Sequence, residues 1–158
     1  MMRNIKFIVV HCSAGSQRNK AADIVSFHTR SKAKGGLGWS KPGYHYIVEP
    51  DGNVVNTWPI DRSSNGVGPS INPIAINVCW IGGVDTSTKA LTAVDNRTPA
   101  QKTSLRSLLV RLKAQFPGAI IQGHRDFSED KNHNGIIDPW ERIKECPCFE
   151  AKSEYADL

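Results

Sequence analysis

Three short apolar runs rich in β-branched residues constrain the fold more than anything else in the chain: IKFIVVHCS from Ile5, NPIAINVCWIGG from Asn72 and AIIQGH from Ala119. Such runs read as buried strands. In the first, alternation puts Ile8, Val10 and Cys12 on one face and Val9 and His11 on the other. The second stops at a glycine pair, and the third ends on His124. YHYIVEPDGNVVNTWPI, from Tyr44, is two further β-rich runs around Asp51-Gly52 and predicts a hairpin, with Tyr44 and Tyr46 sharing a face and His45 on the other. AADIVSFHTRSK, from Ala21, has Ile24, Phe27 and His28 at helical spacing and is broken by GGLGWSKPG. TPAQKTSLRSLLVRLKAQFPG opens with Thr98, Pro99 and Gln101 as cap, first helical residue and capping-box partner, and carries Leu105, Leu108, Leu109 and Leu112 on one stripe. The order βαβββαβ predicts an α/β fold, α+β in the stricter sense: one domain over residues 1–158, with a central mixed sheet flanked by helices.

Composition narrows the function classes. Hydrophobic residues at 39% and charged residues at 22% are ordinary for a folded domain, and the net charge of +5 favours an anionic polymer such as nucleic acid or cell-wall material. The densest basic group, Arg30, Lys32 and Lys34, lacks the interleaved aromatics of a single-strand binding face, so nucleic acid is not the expected partner. The opening MMRNIKFIVVHCS has too short an apolar core for a secretory leader, and no run approaches a membrane span, so synthesis in the cytoplasm is expected. Cys12, Cys79, Cys146 and Cys148 suggest free thiols or metal ligation rather than a disulfide framework.

Two patterns could bind metal. His11 and His124 stand at predicted strand ends, where a sheet presents its site residues, and Cys146 follows in a loop stiffened by Pro147. Two histidines and a cysteine make a zinc set that leaves one tetrahedral position open. DKNHNGIIDPWE, from Asp130, reads as a calcium loop. Asp130, Asn132, Asn134, Ile136 (through its carbonyl), Asp138 and Glu141 fall at positions one, three, five, seven, nine and twelve, and Gly135 at six. The flanks are too short for the helix pair of a calcium sensor, and a dockerin-like module would need a second copy of the loop. A structural ion that folds the segment between His124 and Cys146 is the expectation. Of the remaining candidates, His45 and His28 read as packed or hydrogen-bonded histidines, His133 as exposed, and Cys12 and Cys79 as small buried residues.

The segments IVVHCSA, GWSKPGYHYIVEPDG, INVCWIGG, TPAQKTSLRSLLVRL and KECPCF, in that order, resemble the zinc-dependent N-acetylmuramoyl-L-alanine amidases, the family of small phage lysozymes and peptidoglycan recognition proteins. The resemblance implies one amidase domain with zinc on His11, His124 and Cys146 and with Tyr44 and Lys144 as catalytic residues. Amide hydrolysis develops an oxyanion, which the Lys144 ammonium suits, while Tyr44 suits orienting water or relaying a proton. The implied substrate is peptidoglycan, cut between N-acetylmuramic acid and the L-alanine of the stem peptide, by a monomer acting on the cell wall as an endolysin would. A non-catalytic peptidoglycan binder of the same fold is the competing reading, and the complete ligand set argues against it. Two features depart from the family pattern. NGVGPSINP lacks a histidine that many members carry there, and His124 and Cys146 lie 22 positions apart, an enlarged connection that contains the calcium-like loop.

Overall fold

The computed structural model describes residues 3–158. Its centre is a five-stranded sheet built from β1 (Phe7–Cys12), β2 (Tyr46–Val48), β3 (Val54–Asn56), β4 (Ala75–Trp80) and β5 (Ile120–Gly123), in the order β3-β2-β4-β1-β5. β1 pairs in parallel with β4 on one side and β5 on the other, and β2 pairs in parallel with β4. Only β3 runs antiparallel, as the second arm of the hairpin that turns at Gly52 with φ 87°. Element order and mixed sheet match the sequence expectation.

Central parallel strands are covered on both faces, which is why β1 and β4 are buried almost throughout. One face, carrying Ile8, Val10, Cys12, Ile76, Val78 and Trp80, packs against Leu105, Leu108, Leu109 and Leu112 of helix α2 (Pro99–Gln115). The short helix α3 (Ala151–Glu154) adds Ala151 to the same core, beside Tyr155. The other face carries Ile47, Cys79 and Ile81 and is covered by Ala21 and Ile24 of helix α1 (Ala21–Thr29). His28 turns inward from α1 as its spacing predicts, but Phe27 is 46% exposed. One short helix across a narrow sheet offers room for only one apolar stripe, and Ile24 and His28 fill it.

The hairpin departs from its predicted alternation. Tyr46 joins the core beneath α2, whereas Tyr44 packs with the residues beneath α1. The strand begins only at Tyr46, so the two-residue period does not extend back to Tyr44. His124 likewise falls one residue past β5, as the first residue of a 3₁₀ turn, His124–Phe127.

Gln101 ties α2 to the sheet. Thr98 and Gln101 form the expected capping box, and the fully buried Gln101 amide also donates to the carbonyls of Val48 and Ile81 at 3.2 and 2.9 Å. Gln101→Leu should therefore destabilise the fold by about 2 kcal/mol or more, because it strands buried polar groups at the ends of two strands. Urea denaturation checks this, and a loss below 0.5 kcal/mol, the typical scatter of a neutral surface change, would show the link to be dispensable.

Candidate metal centre and cleft

Parallel strands present side chains in a crevice at their carboxyl ends. Here β1 delivers His11, the turn after β5 delivers His124, and the C-terminal segment returns Cys146 between them. The Nδ1 atoms of His11 and His124 lie 3.0 Å apart and the Cys146 Sγ lies 3.7 Å from His11 Nδ1. One ligand atom from each residue falls within a 4.8 Å group. The two imidazoles meet edge to face, with centroids 4.8 Å apart.

The donor set is chemically prepared for a cation. His11 Nε2 faces the Asn77 Oδ1 at 2.9 Å, and a carbonyl oxygen can only accept, so the His11 proton sits on Nε2 and the lone pair of Nδ1 faces His124. Burial, reinforced by the neighbouring His124, holds the His11 imidazole well below its usual pKa. Burial and the Lys144 charge bring His124 down to about 4. Both rings are therefore neutral at pH 7, the form that ligates metal. Two ring nitrogens at 3.0 Å need a proton or a cation between them, and a cysteine sulfur beside them favours zinc among biological cations.

Cys146 is held from several sides. Its sulfur accepts the Cys12 N–H at 3.3 Å, and its carbonyl accepts the Arg125 N–H at 2.8 Å. Trp80 Nε1 donates to the Pro147 carbonyl at 3.2 Å. Gly123 makes room for the Pro147 ring, since a Cβ there would lie 2.5 Å from Pro147 Cδ. Ion pairs of Arg125 and Arg142 with Glu145 and Glu150 brace the same segment. Cys148 points elsewhere, with its sulfur 3.6 Å from Cys12 Sγ and 3.3 Å from the Gly83 carbonyl, so Cys146 is the cysteine that joins the histidines. Contact with Cys146 and burial push the Cys12 thiol up to about 12.

A cleft of about 470 Å³ opens over the centre, and Tyr44, Lys144, His124 and Cys146 all line it. Tyr44 lies with its ring centroid 5.0 Å from that of His11 and 5.2 Å from that of His28. His28 stacks on Trp39 at 4.8 Å and accepts the Gly43 N–H at 3.1 Å, which fixes the backbone just before Tyr44. Burial pushes the Tyr44 phenol well up from 10, so at neutral pH it is a hydroxyl and not a phenolate. Lys144 is exposed at the cleft wall. Asn65 and Gly66 of the segment without a histidine line the wall beside Tyr44.

The calcium-like loop lies apart from this centre. Asp130 accepts from the N–H groups of Asn134 and Gly135, and the amides of Asn132 and Asn134 donate to Asp138 Oδ2. Glu141 is 2% exposed, and its carboxylate accepts the N–H groups of Lys131, Asn132 and Asp138. Ile136 is exposed. Asp130, Asp138 and Glu141 thus accept from N–H and amide donors of the loop itself. The base of the excursion is closed by the Ile143 N–H donating to Ser128 Oγ at 3.1 Å and by the Arg125 N–H donating to the Cys146 carbonyl.

A family model described as N-acetylmuramoyl-L-alanine amidase matches residues 1–147. The chain belongs to that family. It is 34% identical over 148 residues to the endolysin of Klebsiella phage KP32, covering 92% of this chain and 82% of that one. It is 35% identical over 150 residues to the endolysin of Escherichia phage T7, with the same coverages. Among solved structures, the Ph2119 endolysin of a Thermus scotoductus bacteriophage superposes with a TM-score of 0.69 at 24% identity, covering 99% of this chain and 86% of that one, a likeness of fold.

Asn77 was not among the functional residues that the sequence pointed to. It is fully buried, and a single amide inside the apolar run AINVCWIGG was the available signal. A buried amide in a central strand must have a partner, and the fold supplies His11, whose Nε2 lies 2.9 Å from Asn77 Oδ1.

Proposed function

We propose that this amidase is zinc-dependent and hydrolyses the amide between N-acetylmuramic acid and the L-alanine of the peptidoglycan stem. Family membership supports the bond class, and one observation supports the metal: two neutral histidines and a cysteine offer ligand atoms within 4.8 Å of one another, with His124 and Cys146 of that group lining the cleft. His11 and His124 would hold the ion through Nδ1, and Cys146 through its sulfur. When bound, zinc supplies a Lewis acid that makes water a competent nucleophile at neutral pH.

The remaining work falls to this chain's own groups. Lys144, on the wall beside His124 and Cys146, places a positive charge where the scissile carbonyl oxygen gains negative charge. Tyr44, beside His11 and on the cleft wall, would orient water or relay a proton to the reacting amide. Trp39, Asn65 and Val84 give the cleft a mixed apolar and polar wall that suits a sugar-linked peptide. The endolysin relatives support a lytic role on the cell wall. No helix among the described residues is long and apolar enough to cross a membrane.

Calcium in the loop from Asp130 to Glu141 is a second, separate proposal. Its support is the spacing of the donors, and bidentate binding by Glu141 requires its Oε1, which accepts the N–H groups of Lys131 and Asn132, to give up at least one of them.

Two outcomes are expected. Mass spectrometry of purified muropeptides should show free stem peptide released by the wild type and at least 10³-fold less by Cys146→Ala, with intact glycan strands; cleavage between sugars instead would contradict the assignment. Millimolar calcium should raise the melting temperature of the wild type but not of Glu141→Gln, and an unchanged wild-type melt would leave the loop held by its own hydrogen bonds alone.

A further inference from the structure

We propose that His45, Ser64 and Asn77 form a tautomer relay that fixes His11 with its proton on Nε2 and its lone pair on Nδ1, and that Gly66 is required to seat it. The relay rests on His11 being a metal ligand, the reading above; of its members only Gly66 lines the cleft.

The chain of bonds begins at the backbone, where donor and acceptor roles cannot be exchanged. The Asn77 N–H must donate, and it meets His45 Nδ1 at 2.9 Å, so that nitrogen carries the lone pair. The proton of His45 therefore sits on Nε2, which faces the Arg62 carbonyl at 2.9 Å. The Ser64 hydroxyl lies 3.2 Å from the same His45 Nδ1, so it shares that acceptor and turns its own lone pairs the other way. Those lone pairs meet Asn77 Nδ2 at 2.8 Å. With its NH₂ engaged by Ser64, Asn77 presents Oδ1 to His11 Nε2 at 2.9 Å. The Ser64 hydroxyl is the one link free to turn; with it directed at His45, Asn77 keeps Oδ1 toward His11 and leaves His11 Nδ1 free to ligate.

Burial makes the relay hard to disturb. His45, Ser64 and Asn77 are all 0% exposed. The Arg3 guanidinium, bound to the carbonyls of Ile60 and Arg62, lies 3.3 Å from His45 Nε2 and opposes protonation of that ring. Gly66 closes the other side: a Cβ there would stand 2.5 Å from Asn77 Cγ, with all three amide-group atoms inside 3.0 Å. A side chain at 66 would have to push Asn77 off His11. The segment NGVGPSINP thereby contributes to the metal centre without offering it a ligand.

Outer-sphere partners of metal-binding histidines typically alter metal affinity 10–100-fold when removed. Zinc affinity is measured on the full chain by competition with a chromophoric chelator, with folding followed by thermal melting. Asn77→Leu should weaken zinc about 10–100-fold while Asn77→Asp, which still accepts the His11 proton, stays within a few-fold of wild type. Gly66→Ala should weaken zinc like Asn77→Leu, and Gly66→Ala with Asn77→Gly should be no weaker than Asn77→Gly alone. In the metal-free wild type, ¹⁵N-histidine NMR should show both His11 and His45 protonated on Nε2. Unchanged affinity in folded Asn77→Leu, equal losses in Asn77→Leu and Asn77→Asp, or an Nδ1-protonated His45 would overturn the relay. If Asn77→Leu does not fold, the wild-type tautomers and the Gly66 pair decide. If the wild type binds no zinc, the zinc reading fails, while the tautomers still test the relay.

Discussion

The parallel pairing of β1 with neighbours on both sides is the constraint on which the site depends. It buries His11 completely at the carboxyl end of a central strand, where a charged imidazole is costly and an unpartnered one nearly as much so. The β4 register supplies Asn77 on the same face, and the end of β5 supplies His124 at 3.0 Å. A neutral, oriented ring and a second ring nitrogen facing it are consequences of the sheet before any ligand is considered.

The second face of the molecule explains how the rest of the site holds its shape. α2 and its core fix the sheet, and Trp80, reaching from β4, grips the Pro147 carbonyl and so steadies the segment that carries Cys146. The ion pairs of Arg125 and Arg142 are partly exposed and add modestly. Geometry at the centre thus depends mainly on packing and on backbone hydrogen bonds, the contacts least sensitive to salt.

Strand and helix order were readable because burial imposes its periods on the sequence: alternation placed His11 correctly, and the Thr98 to Gln101 box marked the start of α2. Tyr44 was misplaced because it precedes its strand, where alternation has no authority, and Phe27 because a single helix on a narrow sheet buries one stripe only. Asn77, Ser64 and His45 were illegible as a group. They are distant in sequence, and only the register of parallel strands and the path of the 60–66 segment bring them together. The loop from Asp130 to Glu141 carries a specific pattern, and in the folded chain several of its oxygens accept its own N–H groups, so the calcium titration decides what the pattern binds. Matching residue types at the right spacing do not establish which donors they serve.

We propose that His11, His124 and Cys146 form a zinc site at the base of the cleft. Anomalous diffraction at the zinc absorption edge, from crystals of the full chain grown without chelator, tests it most directly. One strong peak bonded to His11 Nδ1, His124 Nδ1 and the Cys146 sulfur is expected. A peak held by Cys148 or by His11 Nε2, or no peak beside these residues in zinc-supplemented crystals, would contradict it.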